Sequence, residues 1–397
     1  MALYRRIIFL PSPTRRLIRK GIINMKWAIR DLLNPVVTRS LLFGSDPFDI
    51  EYILKQVDKI KVMSGKQIQA VWLDEWNAKA DRYNEFCLKA ADKGNIISAR
   101  EYAKMVTECR YACFMINIED VEHKTQIYSK LKESYKTYLS FCSNKTEYIE
   151  MDTEFGKIPA YIHYPDDGKQ ASYPVAITYS GIGSCKEELE MLAAPLTERG
   201  IAVITPDMPG AGAAIIDNNI KCGGHQLEAA FEAIYKFIDS RSDLDSSRIA
   251  NFGLCMGGGY AFRATVKNPD VKACVSLFPL FMNFADMSSI PVWMKRGKWS
   301  SYQYCEDYLE SMKLIEEGTH SVDFLMAYSD DDNWMSHDAS ENLLKKAEGY
   351  KEPLFIADKP SYVSEETIMH AMPVGEQFHW VKHIAADFIA SRLKGDM

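Results

Sequence analysis

From Thr146 onward the chain alternates short apolar runs with amphipathic helical ones, and this alternation limits the fold more than any other feature of its 397 residues. YIEMDTEFGKIPAYIHYP alternates polar and apolar residues around Gly156 and reads as a β-hairpin. YPVAITYS, IAVITPD, RIANFGLC, VKACVSLFP, SVDFLMAYS and PLFIAD then read as strands. Helical stretches separate several of them, including HQLEAAFEAIYKFIDSR, and HWVKHIAADFIASRL closes the series. Short, wholly apolar strands joined by helices specify a mostly parallel, doubly wound sheet covered on both faces, the α/β class. In such sheets reactive residues gather beyond the carboxyl ends of the strands.

Upstream the period differs. Between about Asp46 and Ser143 apolar residues recur at intervals of three and four, and Gly94 and Asn95 punctuate the pattern, as expected of an all-helical domain. Its aromatic and Met-rich stripes (Trp72, Trp76, Tyr83, Phe86, Phe114, Met115) are expected to form core. The predicted organisation is a basic segment over 1–45, a helical cap over 46–145 and a catalytic domain over 146–397, with an aromatic-rich insert around 280–320.

Charge narrows the class of partner. The net charge is −7, yet residues 1–40 hold nine Lys and Arg against Asp31 alone, so the remainder carries −15. A body of that sign repels phosphate, which argues against nucleic acid binding. The basic start reads as a solvated helix face or as a contact for an anionic surface. No apolar run is long enough to span a membrane, and MALYRRIIFLPSPTRR places charges within its apolar stretch, unlike a signal peptide. Nine cysteines without CxxC pairs fit reduced thiols rather than disulfides or zinc, so a cytoplasmic protein is expected.

The chemistry-bearing signal is Gly253-Leu254-Cys255-Met256-Gly257, between a strand and a Gly-rich helix start. It is a Gly-x-Ser-x-Gly nucleophile elbow with Cys in the Ser position. A nucleophile exposed at a tight strand-to-helix turn needs small flanking residues. The N–H of Met256 then faces the oxyanion formed on attack, and the helix start favours a thiolate at Cys255. A second oxyanion donor should follow the first long parallel strand, where Ile182 in Ser180-Gly181-Ile182-Gly183 is the candidate. The acid that orients the base should follow SVDFLMAYS. In Asp330-Asp331-Asp332 the spacing from Ser329 selects Asp332, with Asp331 second. Of the later histidines, His379 and His383 fall within the last helix, whereas His370 precedes it, so His370 is the candidate base.

These segments also resemble a family. Gly181-Ile182-Gly183-Ser184-Cys185-Lys186-Glu187-Glu188 is similar to the G-x-x-S-x-K-E-E loop of the fermentation–respiration-switch-like α/β-hydrolases. That group includes the dihydroxypseudooxynicotine hydrolases and polyketide-shortening hydrolases. Asp207-Met208-Pro209-Gly210-Ala211-Gly212 resembles their D-x-P-G-x-G turn. The likeness runs from about residue 70 to the C-terminus, because those enzymes also carry a helical domain. It implies an α/β-hydrolase fold acting on an ester, a thioester or a ketone C–C bond of an aromatic or polyketide-like substrate, free or carrier-bound. It also implies a homodimer. The departure is Cys255 where the relatives carry Ser; dienelactone hydrolases are similar at that position. A thioester intermediate reacts with amines, thiols and carbanions as well as water, which adds acyltransferase or cyclase activity as an alternative. A catalytically silent binding protein is a third reading. The Cys255–His370–Asp332 chemistry requires no metal or organic cofactor. Phe281, Trp293 and Trp299, in the aromatic insert, are the candidate substrate contacts.

Overall fold

A computed structural model describes residues 33, 36–60, 65–116, 120–165, 171–281, 318–329, 332, 334–355 and 376–394. These residues fall into two compact units, divided between Cys142 and Ser143.

The first unit is helical: α1 (Pro47–Asp58), α2 (Gly65–Asp92), α3 (Ile96–Met115) and α4 (Val121–Ser140). Local chemistry sets its helix ends. The Asp46 carboxylate accepts from the N–H groups of Phe48 and Asp49, and Pro47 opens α1 with no amide proton to satisfy. Gly94, at φ +73°, takes the left-handed conformation between α2 and α3, and Asp120 caps α4 through the His123 N–H. The two antiparallel helices of that hairpin bury Cys87, Ala90, Ala99 and Ala103 against one another. Trp72, Trp76 and Phe114 are buried as expected, and the Trp72 indole donates to the Ala112 carbonyl at 2.9 Å, whereas Tyr83, Phe86 and Met115 are only half-buried.

The second unit is an eight-stranded sheet: β1 (Thr146–Thr153), β2 (Gly156–His163), β3 (Tyr173–Tyr179), β4 (Ala202–Pro206), β5 (Leu244–Leu254), β6 (Ala273–Leu277), β7 (Asp323–Tyr328) and β8 (Lys351–Phe355). Its spatial order is β1-β2-β4-β3-β5-β6-β7-β8. The β1–β2 hairpin is antiparallel, with Thr153 opposite Gly156, and β2 is antiparallel to β4; every other pairing is parallel. Burial explains the composition of the strands. Every residue of β3, β4 and β6 is buried, whereas edge strand β1 alternates buried and exposed positions. The connecting helices are α5 (Glu190–Thr197), α6 (Gly212–Ile216), α7 (Gly224–Ser240), α8 (Met256–Lys267), α9 (His337–Lys345) and α10 (Glu376–Leu393). Helix α7 buries Leu227, Ala230, Phe231, Ile234 and Ile238, one stripe at helical spacing. The short α6 and a 3₁₀ turn at Lys186–Leu189 are not anticipated by the sequence periodicity, being too brief to carry one.

Strand β3 is central: the chain runs to β4 on one side of it and returns to β5 on the other. The loops leaving β3 and β5 therefore diverge at a topological switch point, where this type of sheet opens a crevice.

Candidate active site

Strand β5 ends at Leu254 and α8 begins at Met256, so the whole reversal falls on Cys255. Its backbone sits at φ +59° and ψ −126°, a conformation that side-chain-bearing residues seldom adopt. The surroundings over-determine it. The Cys255 N–H donates to the Leu277 carbonyl at 2.9 Å, and its own carbonyl accepts from Gly258 at 2.9 Å and Leu280 at 3.0 Å. Phe278, between Leu277 and Leu280, is itself left-handed at φ +47°, so the end of β6 bends sharply around the elbow.

The flanking glycines have identifiable steric causes. A Cβ on Gly253 would overlap the Gly257 carbonyl, and one on Gly257 would overlap the carbonyl of Tyr179 at the end of β3. Strand, elbow and helix thus approach at backbone contact distance. The β3 loop arrives from the other side: a Cβ on Gly181 would lie 3.3 Å from Cys255 Sγ and 3.1 Å from its Cβ. The loop that contains Ile182 and the elbow that contains Cys255 and Met256 are brought together at the sulfur, from chain positions more than seventy residues apart.

Beyond the end of β7, Asp332 is buried. Its Oδ1 accepts from the N–H groups of Trp334 at 2.8 Å and Met335 at 3.1 Å, which fixes the carboxylate in the turn before α9. Phe281 is fully buried, with its ring edge-on to Phe262 at 5.4 Å between centroids, a packing role in this structure. His370, Asp331, Trp293 and Trp299 lie outside the described residues.

The other cysteines near the sheet sit in different surroundings. Burial pushes the Cys185 thiol well up and the Cys274 thiol to about 12, and Cys222 Sγ lies 3.4 Å from the Tyr260 hydroxyl. Neither raised thiol suits a nucleophile at neutral pH. Among the described residues no cluster of three His, Cys, Asp or Glu side chains has the arrangement of a metal site.

One group that the sequence reading quoted only within its motifs, without a role, adjoins the Gly181 loop. Lys186, Glu187 and Asp207 are all fully buried, and Lys186 Nζ stands 3.0 Å from Asp207 Oδ2 and 2.9 Å from Glu187 Oε1. Burial alone would lower the Lys186 ammonium, but the two facing carboxylates outweigh it and hold its pKa above the ordinary lysine value. A Lys-Glu-Glu run reads as a solvated surface; the available warning was its position in a Gly-rich loop between two apolar strands.

This topology matches known proteins. A family model described as PET hydrolase-like matches residues 140–294. The crystal structure of 2,6-dihydroxy-pseudo-oxynicotine hydrolase superposes with a TM-score of 0.68 at 19% identity, covering 90% of this chain and 95% of that one. The chain has an α/β-hydrolase fold. Among curated relatives, hydrolase ORFZ of Pyricularia oryzae is 28% identical over 59% of this chain and 57% of its own length. The 2,6-dihydropseudooxynicotine hydrolase of Paenarthrobacter nicotinovorans is 23% identical over 52% of this chain and 55% of its own. The chain thus spans about half the length of the curated relatives it matches. No helix among its described residues is long and apolar enough to cross a membrane.

Proposed function

We propose that this chain is a cysteine-nucleophile hydrolase that cleaves an ester, a thioester or a ketone C–C bond of an aromatic or polyketide-like substrate through an acyl-enzyme. The observation that carries the reading is the strained backbone of Cys255 at the strand–helix turn, with the Gly181 loop against its sulfur. Strain of that kind costs about 1–3 kcal/mol and persists where a function requires the side chain at one place. The hydrolase names of the curated relatives point the same way.

In the proposed reaction Cys255 Sγ attacks the substrate carbonyl and its thiol proton passes to His370. The N–H groups of Ile182 and Met256 stabilise the resulting oxyanion. Collapse expels the leaving group, which takes the proton from His370 and leaves a thioester on Cys255. Water, deprotonated by His370, then releases the acid and the thiol. Asp332 orients the imidazole throughout. The reaction draws on side chains and backbone alone and is expected to persist in EDTA.

Intact-mass spectrometry of wild type and Cys255→Ala after exposure to aryl esters and acyl thioesters tests the reading. An acyl adduct on wild type, absent from Cys255→Ala and discharged in water, is the expected result. Discharge only after an amine or thiol is added would make the protein an acyltransferase. Absence of both adduct and turnover across the panel, with ligand still bound, would point to a binding protein.

A further inference from the structure

The Lys186 cluster is an expensive way to stabilise a fold. Removing an ammonium and two carboxylates from water costs several kcal/mol per ion, and apolar residues of similar volume serve stability equally well or better. What such a cluster supplies is directional constraint, and its bonds converge on one segment. The Lys186 N–H donates to Asp207 Oδ1 at 2.6 Å, and its Nζ donates to Oδ2 of the same carboxylate at 3.0 Å. One residue is therefore held at both backbone and side chain by one acid. That acid is fixed in turn: Oδ2 also accepts from the Ala213 N–H at 2.7 Å, at the start of α6. The neighbouring Gly212 N–H donates to the Ser184 carbonyl at 3.1 Å, and the Ser184 hydroxyl bonds to Glu188. Gly212, at φ +40°, is required because a Cβ there would overlap the Asp207 carboxylate. The turn after β4 thus grips the loop after β3 at Ser184 and Lys186. Three residues before Ser184, the same loop passes Cys255 so closely at Gly181 that a Cβ there would lie 3.3 Å from the sulfur.

We propose that the buried Lys186–Asp207 pair is a positioning device that holds the Ile182 loop against Cys255, so that the oxyanion donor is in place before acyl attack. The proposal rests on the reading of Cys255 as nucleophile. It assigns Lys186 and Asp207 no contact with substrate; they act through the backbone of residues 181–186.

The test uses the double variant Lys186→Met/Asp207→Asn, with Glu187→Gln added in a parallel variant so that the second buried carboxylate facing Lys186 is not left charged and alone. Three readouts are compared with wild type: amide hydrogen exchange of a peptide spanning 181–189, the rate of Cys255 acylation by an activated thioester, and its alkylation by iodoacetamide. Alkylation needs the thiolate but no oxyanion hole. The expected result is faster exchange in that peptide and acylation slowed about 100-fold, as for a donor displaced from its place. Alkylation should stay within about twofold, because the thiolate itself is untouched. Unchanged exchange, or acylation and alkylation slowed equally, overturns the proposal. Failure of wild type to acylate would instead overturn the nucleophile reading, and the exchange readout would still decide the anchoring. If the double variant does not fold, Asp207→Asn alone, which loses the acceptor for Lys186 Nζ and Ala213, carries the same comparison.

Discussion

At the residue scale, the elbow separates two kinds of glycine. Gly257 faces backbone: any Cβ meets the Tyr179 carbonyl, and neither strand nor helix can yield. Gly257→Ala is expected to cost about 3 kcal/mol of stability, read as a drop in the thermal midpoint. Gly181 faces the Cys255 sulfur, where an added Cβ would be tight without being a clash. Gly181→Ala should leave the midpoint within a few degrees of wild type, roughly 1 kcal/mol or less, while slowing Cys255 acylation about tenfold. Equal effects of the two substitutions on both readouts would remove the distinction between a structural and a functional glycine. The sequence made both turns legible, because Gly on each side of a nucleophile candidate is a local signal. It did not show that Lys186 and Asp207 pair, since twenty-one residues separate them and each alone looks like surface charge.

At the element scale, two histidines tie the sheet to pH. His163 at the end of β2 is buried with Nε2 3.2 Å from the Thr205 hydroxyl of β4. His320, just before β7, is buried with its ring 4.5 Å from Phe262 and 5.5 Å from Phe324. Burial pushes both imidazoles down to about 4. The unfolded chain protonates them near pH 6.5, so between 6.5 and 4 it binds more protons than the folded one, and stability rises with pH across that window. The contribution is fully present above about pH 6.5 and is lost as the pH falls toward 4, by roughly 3 kcal/mol for each residue. His320→Phe, which matches its aromatic surroundings, is expected to remove about half of that dependence. A midpoint-versus-pH curve unchanged by His320→Phe would refute the assignment. Sequence pattern located the strand that carries His163 and the one that follows His320, but periodicity does not distinguish a buried neutral histidine from an exposed one.

At the scale of the whole molecule, the two units rest on different kinds of contact. The helical unit is built from neighbours in sequence, such as the α2–α3 hairpin over Cys87, Ala90, Ala99 and Ala103. The sheet unit joins distant segments: β3 pairs with β5, Tyr179 lying opposite Gly253. Units with separate cores are expected to open separately, so amide exchange under increasing denaturant should show two transitions, one in residues 65–140 and one in 173–277. A single coincident loss of protection would show that the chain unfolds as one cooperative body.

What the sequence determined by itself is local. Strand and helix periods, the change at Thr146 and the glycine-flanked turn at Cys255 arise from residues within a few positions of one another, where side-chain spacing and backbone sterics act directly. The tertiary structure decided what these pieces mean together. Only the order of strands around β3 brings the Gly181 loop to the sulfur of Cys255, and only burial turns the charges of Lys186 and Asp207 into a directional tie. Both outcomes depend on distances between segments far apart in the chain and on the exclusion of water, and a pattern of neighbouring residues encodes neither.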